Sequence, residues 1–294
     1  MKTIGFLNSM SEGACGDFVD AFRKGLQGSG LAVGRDVAIE FRWADGRYDR
    51  LPALAADLVS RRVDVIAATG GIVSARAALE ATKTIPVLFV SGCDAVQAGL
   101  VDNLRRPGGN ATGVQVSTTE ALERRLRTLR ELVPGNGRIA LLVNPNSFVA
   151  RMEDTHGRNS NLIVLSASTE NEIESAFNRA AEQKAAAILV SADPFFTSRR
   201  TQIVACAERT RIPTAYPWRE YSDAGGLVSE GPNLTEAYRL IGIYAGRILN
   251  GSTPADLPVR VLGEQDFKVE ISHRTAQAQN IRVPDSLRNR AELR

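Results

Sequence analysis

The sequence predicts an α/β fold built from two similar lobes, each a doubly wound, Rossmann-like sheet. Three observations carry that prediction. Residues 85–101, IPVLFVSGCDAVQAGLV, return as residues 212–228, IPTAYPWREYSDAGGLV, with the same length and an offset of 127 (212 − 85 and 228 − 101). Two more segments echo in the same order: TIGFLNS from Thr3 by RIALLVNP from Arg138, and VIAATG from Val65 by ILVSAD from Ile188. Throughout, short apolar runs alternate with helical periodicity at the spacing of strand–loop–helix units. Echoes in a fixed order mark two copies of one structural unit in a single chain. Proteins built that way work in the cleft between the copies, and cleft function is the expectation here.

The elements follow in order. Residues 3–7 read as a buried strand, closed by the loop Asn8-Ser-Met-Ser. A helix over 16–27 places Phe18, Ala21, Phe22, Gly25 and Leu26 at helical spacing. A strand at 36–41 and a helix at 51–59 come next. Residues 63–68 form a continuous apolar run of the kind that parallel sheets bury on both faces. Thr69-Gly-Gly turns it into a helix over 73–81, and the strand at 87–90 breaks at Ser91-Gly-Cys-Asp. Residues 114–117 are the candidate first hinge. A helix over 120–132 ends at Pro134-Gly135, as a helix should. The second copy then starts with a strand at 139–143, the loop Asn144-Pro-Asn-Ser and a poorly patterned stretch to residue 161. There follow a strand at 162–165, a helix over 170–183 capped by Ser168 or Thr169, a strand at 187–190 and a helix over 200–210. A helix over 234–249, two short strands at 259–262 and 267–271, and a polar tail close the chain.

Composition narrows the function. Of 294 residues 44% are hydrophobic and 23% charged, as in a folded globular protein. The net charge of +3, with no basic run interleaved with aromatics, gives no reason to expect nucleic acid. No apolar run is long enough to span a bilayer. Met1-Lys2 leads straight into a core strand, so the chain reads either as cytoplasmic or as written without an export signal. Three scattered cysteines and two histidines, His156 and His273, offer no metal spacing. Phosphate-loop, dinucleotide, zinc-protease and nucleophile-elbow motifs are all missing. No catalytic residue, metal or cofactor is expected.

The loops after the strands point to binding, because ligands of such sheets sit beyond the carboxyl ends of the strands. Thr69, Gly70 and Gly71 open a helix, where free N–H groups and the dipole favour a carboxylate. Asn8, Ser9, Ser11, Ser91, Gly92, Cys93 and Asp94 fall in the neighbouring loops. In the second copy, Asn144 and Asp193 end strands. Asp193 is placed to pair an ammonium, with Glu220 as a second acid, while Phe195, Tyr216 and Trp218 would wall an apolar or aromatic group. The plain alternatives are a tight glycine turn, a helix-capping aspartate and core aromatics. A two-lobed racemase would need a cysteine from each lobe; Cys93 sits in the right kind of loop, but the position 127 later is Glu220.

Several runs carry a family likeness: the stretch 37–55 with Arg-Trp-Ala-Asp-Gly-Arg, the stretch 99–114 with Arg-Pro-Gly-Gly-Asn, Val143-Asn-Pro-Asn, Ala192-Asp-Pro-Phe-Phe and Ala224-Gly-Gly-Leu-Val-Ser-Glu-Gly. Through them the chain resembles the bacterial ABC-transporter substrate-binding proteins of the tryptophan/tyrosine-type group. That resemblance implies a periplasmic-binding-protein-like type I fold with three chain crossings, here expected near 113–117, 230–233 and 251–254. Lobe one would then be 1–115 with 232–252, and lobe two 116–231 with 253–294. It further implies a periplasmic monomer that captures an amino acid or an aromatic or branched carboxylate by hinge closure. The ligand would pass to an ABC permease with a separate ATPase subunit. An intracellular ligand-sensing module of the same fold, and an isomerase or lyase, are the alternatives. Three features depart from the family pattern: the missing export signal, a shortened stretch 147–161, and Gly263-Glu-Gln-Asp-Phe in place of a more apolar run.

Overall fold

A computed structural model describes residues 1–147 and 162–294. The poorly patterned stretch, with His156, lies outside the described residues except for its first residue, Ser147. The chain divides into two units, Met1–Ser117 with Leu234–Leu262, and Thr118–Asn233 with Gly263–Arg294.

The first pass runs β1 (Lys2–Asn8), α1 (Gly16–Gln27), β2 (Val37–Trp43), α2 (Leu51–Ser60), β3 (Val65–Thr69), α3 (Ile72–Ala81), β4 (Val87–Ser91) and β5 (Ala111–Val116). The second unit then supplies α4 (Thr118–Leu132), β6 (Ile139–Val143), β7 (Ile163–Ser166), α5 (Glu170–Glu182), β8 (Ala187–Val190), α6 (Pro194–Ser198), α7 (Arg200–Thr210), β9 (Thr214–Tyr216), α8 (Arg219–Asp223) and β10 (Val228–Pro232). The chain returns to the first unit for α9 (Leu234–Leu249) and β11 (Arg260–Leu262). It ends in the second with β12 (Phe267–Ile271), α10 (His273–Ala278), α11 (Asp285–Arg288) and β13 (Ala291–Leu293).

In the first unit the strand order is β11-β5-β4-β3-β1-β2, with every pairing parallel. β3 and β4 are buried along their whole length, which a sheet covered by helices on both faces requires. α1 and α9 lie close enough that Gly25 and Gly242 have no room for a methyl group: a Cβ on Gly25 would overlap the Arg239 carbonyl oxygen, and one on Gly242 the Phe22 carbonyl oxygen.

In the second unit the order is β13-β12-β10-β9-β8-β6-β7, parallel except for the antiparallel β10–β12 pair. Its core joins Leu122, Leu126 and Leu129 of α4 to Leu141, Leu189 and Val228 of the sheet. Thr169 caps α5 by accepting from the Glu172 N–H, while Ser168 donates back to the Glu172 carboxylate at 2.7 and 2.9 Å, so both expected residues share the cap.

The repeats occupy equivalent places, since β1 and β6, β3 and β8, and β4 and β9 hold matching sheet positions. The Gly-Leu-Val echo does not: Val228 opens β10, whereas residues 99–101 lie in a turn and β5 starts at Ala111.

One expectation needs correcting. The sequence places the strand near 259–262 in the second lobe, but β11 pairs with β5, Arg260 beside Val114, which keeps residues 253–262 in the first unit. The polar tail packs into the second unit. It buries Ala276, Val283 and Leu287 against the second core, and β13 pairs with β12.

Candidate functional site

In the first unit the parallel register sets Asn8 beside Thr69, so the loops after β1 and β3 leave the same edge of the sheet. Asn8 is fully buried. Its amide nitrogen donates to Thr69 Oγ1 at 2.9 Å and to the Tyr238 hydroxyl at 3.1 Å, and its Oδ1 accepts from the Met10 N–H at 2.8 Å. Ser9 Oγ donates to the Gly70 carbonyl at 2.6 Å. Asn8 and Ser9 therefore hold the loops together through their side chains. Gly70 and Gly71 both have positive φ, 79° and 88°. A Cβ on Gly70 would fall 2.7 Å from Ser9 Oγ, so only glycine fits. Gly71 is the N-cap of the ten-residue α3, and no side chain caps that helix. Its first-turn amides at this edge are the feature best suited to an anion. Ser74, in the same turn, has a buried hydroxyl without a hydrogen-bond partner. Ser11 precedes a short 3-10 turn without capping it.

The loop after β4 is built similarly. Ser91 Oγ donates to the Cys93 carbonyl at 3.0 Å, and Asp94 accepts from the Val96 and Gln97 N–H groups at 2.9 and 2.8 Å, with Gly92 half-buried between them. Burial pushes the Cys93 thiol above its ordinary pKa, which keeps it protonated and a poor nucleophile. That argues against racemase chemistry at this loop.

Of the family-like runs, the first supports this edge and the second ties the opposite, amino-terminal edge of the sheet. Asp45 and Gly46 take positive φ, 56° and 79°, and the Ala44 and Gly46 N–H groups donate to the carbonyls of Asn8 and Ser9 at 2.9 and 2.8 Å. Arg50 then ties to Asp45 at 2.7 Å. In the other run, Asn110 donates to the Ile85 carbonyl at 2.9 Å and accepts from the Val87 N–H, joining β4 to β5.

In the second unit Asn144 follows β6 and donates to Asp193 Oδ1 at 2.9 Å. The same oxygen accepts from the Phe195 N–H at 3.0 Å, so Asp193 is indeed the capping aspartate of α6. Phe195 is 6% exposed, with the Arg199 guanidinium 5.8 Å above its ring. Trp218 is the N-cap residue of α8 and lies beside Gly231, and Glu220 sits buried in the first turn of α8.

Tyr216 is not brought to the loop edge. Its ring leans back over Gly226, stacks on Tyr221 at 4.8 Å and joins a cavity at the amino ends of β9 and β10. Burial raises the pKa of both tyrosines and keeps them neutral. Sequence reasoning does not reach Tyr238: it lies 230 residues from Asn8, and no local pattern links them. Among the described residues no cluster of three or more His, Cys, Asp or Glu could hold a metal, and no helix is long and apolar enough to cross a membrane.

Known proteins bear on this geometry. The tyrosine-binding protein of Clostridioides difficile is 26% identical over 272 residues, 90% of this chain and 78% of that protein. An ABC domain from Streptococcus pneumonia solved in complex with L-Trp is 24% identical, covers 99% of each chain and superposes with a TM-score of 0.87. A conserved domain protein from Vibrio cholerae, 23% identical with 99% of each chain covered, gives 0.88. At such identities the superpositions establish the fold, a periplasmic-binding-protein-like type I architecture. The sequence pattern of the ABC transporter substrate binding protein family matches residues 3–293, and with nearly the whole chain matched this protein belongs to that family.

Proposed function

We propose that the chain captures an amino acid, or a related aromatic or branched carboxylate, outside the cytoplasm as a monomer. It would deliver that ligand to a membrane permease served by a separate ATPase. The observation that carries the ligand class is the amino terminus of α3, where Gly71 leaves the first turn without a side-chain cap beside Thr69 and Gly70. Oriented N–H groups at the positive end of a helix dipole suit a carboxylate. Asp193 and Asn144 would take the ammonium, and Phe195 and Trp218 the apolar body. The named ligands of the C. difficile and S. pneumonia relatives, tyrosine and L-Trp, support an aromatic amino acid. Movement about the crossings at 117/118, 233/234 and 262/263 would accompany capture, since a ligand favours a closed state only through interactions that the open state lacks.

The test is a thermal-shift screen against amino acids, aromatic acids, branched keto acids and nucleosides. A ligand of the folded state at a hundredfold excess over Kd adds about 2.7 kcal/mol of stability. A shift with tyrosine or tryptophan, recovered unchanged, is the expected result. A shift only with nucleosides would overturn the ligand class, and consumption of the ligand would overturn the transport reading. Asp193→Asn keeps the cap acceptor and removes the charge. It should weaken amino-acid binding about tenfold or more, the size of a lost charged hydrogen bond. Unchanged affinity would remove Asp193 from the site.

A further inference from the structure

The amino ends of β9 and β10 carry a second candidate binding site, independent of the ligand proposed above. A cavity of about 490 Å³ opens there within the second unit, between α7, the 224–227 turn and α10. Its volume falls in the range of small-ligand pockets. Val204, Ala207, Leu227 and the Tyr216 ring give it an apolar floor.

Arg211 and Arg274 also line the cavity, and among the described residues neither forms an ion pair. The Arg274 guanidinium lies at the 224–227 turn: a Cβ placed on Gly225 would be 3.6 Å from its Nη2 and 4.0 Å from Val204 Cγ1. Gly225 has a φ of 97° and contributes no side chain, so the space below the arginine stays open. Thr275 is already engaged, donating to the Gly225 carbonyl at 2.8 Å. The Gln279 amide oxygen is buried there with no hydrogen-bond partner, and Glu208 stands on the rim.

We propose that this cavity binds a small carboxylate carried on a compact apolar body. Arg211 and Arg274 would take the carboxylate through the forked donor geometry of guanidinium groups. The body would rest against Val204, Ala207 and Tyr216. Tyr216 stays neutral there, so its ring and hydroxyl add no repulsion to an anion. An amino group on the ligand would meet Glu208 and the Gln279 oxygen, so an arylacetate and an aromatic amino acid share the recognised chemistry.

The test is titration of 4-fluorophenylacetate, then 4-fluorophenylalanine, into the ¹⁵N-labelled full chain at millimolar concentration. Saturable shifts of the Gly225, Leu227, Thr275 and Gln279 amides are expected. Tighter binding of the amino acid assigns Glu208 and Gln279 a role, and tighter binding of the arylacetate assigns the site to simple acids. R211A/R274A should weaken that response about tenfold or more, as expected for lost charge-assisted bonds. Ala278→Trp, at an exposed lining position, should block the cavity while both arginines remain. Binding that survives both variants, or silence at those four amides with both probes, would overturn the proposal.

Discussion

Asn8 illustrates how a residue chosen as a ligand contact can turn out to be scaffold. All three hydrogen bonds of its side chain are internal, to Thr69, Tyr238 and the Met10 N–H. Asn8→Ala would leave buried polar groups unpaired and should cost about 1–3 kcal/mol per group left unsatisfied, read as a lower midpoint in urea unfolding. A midpoint unchanged from the wild type would show that water replaces those bonds. Glu270 carries a pH dependence. Its side chain is 2% exposed, and burial raises its pKa above the ordinary glutamate value of 4.5, with Arg294 and Arg219 only partly offsetting the rise. A raised pKa means that the folded state holds the proton more tightly. The associated stability is therefore full below pH 4.5 and is lost as pH climbs through the folded value. Urea midpoints of Glu270→Gln and wild type, measured from pH 4 upward, should diverge in favour of the variant, and parallel curves would refute the assignment. At this scale the sequence was legible where chemistry is local. Asp193 as a cap, the Gly70–Gly71 turn and the Thr169 cap could all be read from neighbours. Tyr216 could not, because the direction of its ring is set by the space above Gly226.

Among elements, α1 and α9 pack backbone against backbone at Gly25 and Gly242; they belong to one unit but are separated in sequence by most of the other. The apolar face of α1 could be read from its spacing. Its partner could not, since periodicity shows that a helix has a buried face and not which helix covers it. Gly25→Ala should therefore destabilise by about 1–3 kcal/mol through overpacking, despite the better helix propensity of alanine. Gly28→Ala is the control: Gly28 is right-handed, with φ −62°, and its nearest new neighbour would be 3.4 Å away, so that change should be neutral or slightly stabilising. Similar midpoints for the two variants would show that the helices can move apart at no cost. The same reasoning explains the fate of β11. Three residues of strand sequence are compatible with any open edge, and the pairing with β5 depends on how the preceding residues run rather than on the strand itself.

Over the whole molecule, the tail shows how far composition can mislead. Residues 273–294 read as polar, but Leu287 is fully buried and β13 completes the second sheet. Leu287→Ala should cost about 2–5 kcal/mol, the usual range for a buried leucine, with the loss visible in the unfolding of the intact chain. A cost below about 1 kcal/mol would mark the tail as an appendage. The sequence by itself determined the fold class, the duplication and the family, because apolar periodicity, repeated segments and turn residues act locally and survive in linear order. Tertiary structure alone decided where the third crossing falls, the sheet that each late strand joins, the burial of the tail and the turning of Tyr216 towards the cavity at the amino ends of β9 and β10. Each of those depends on contacts between residues far apart in the chain, whose energies arise only once the sheets and helices have brought them together.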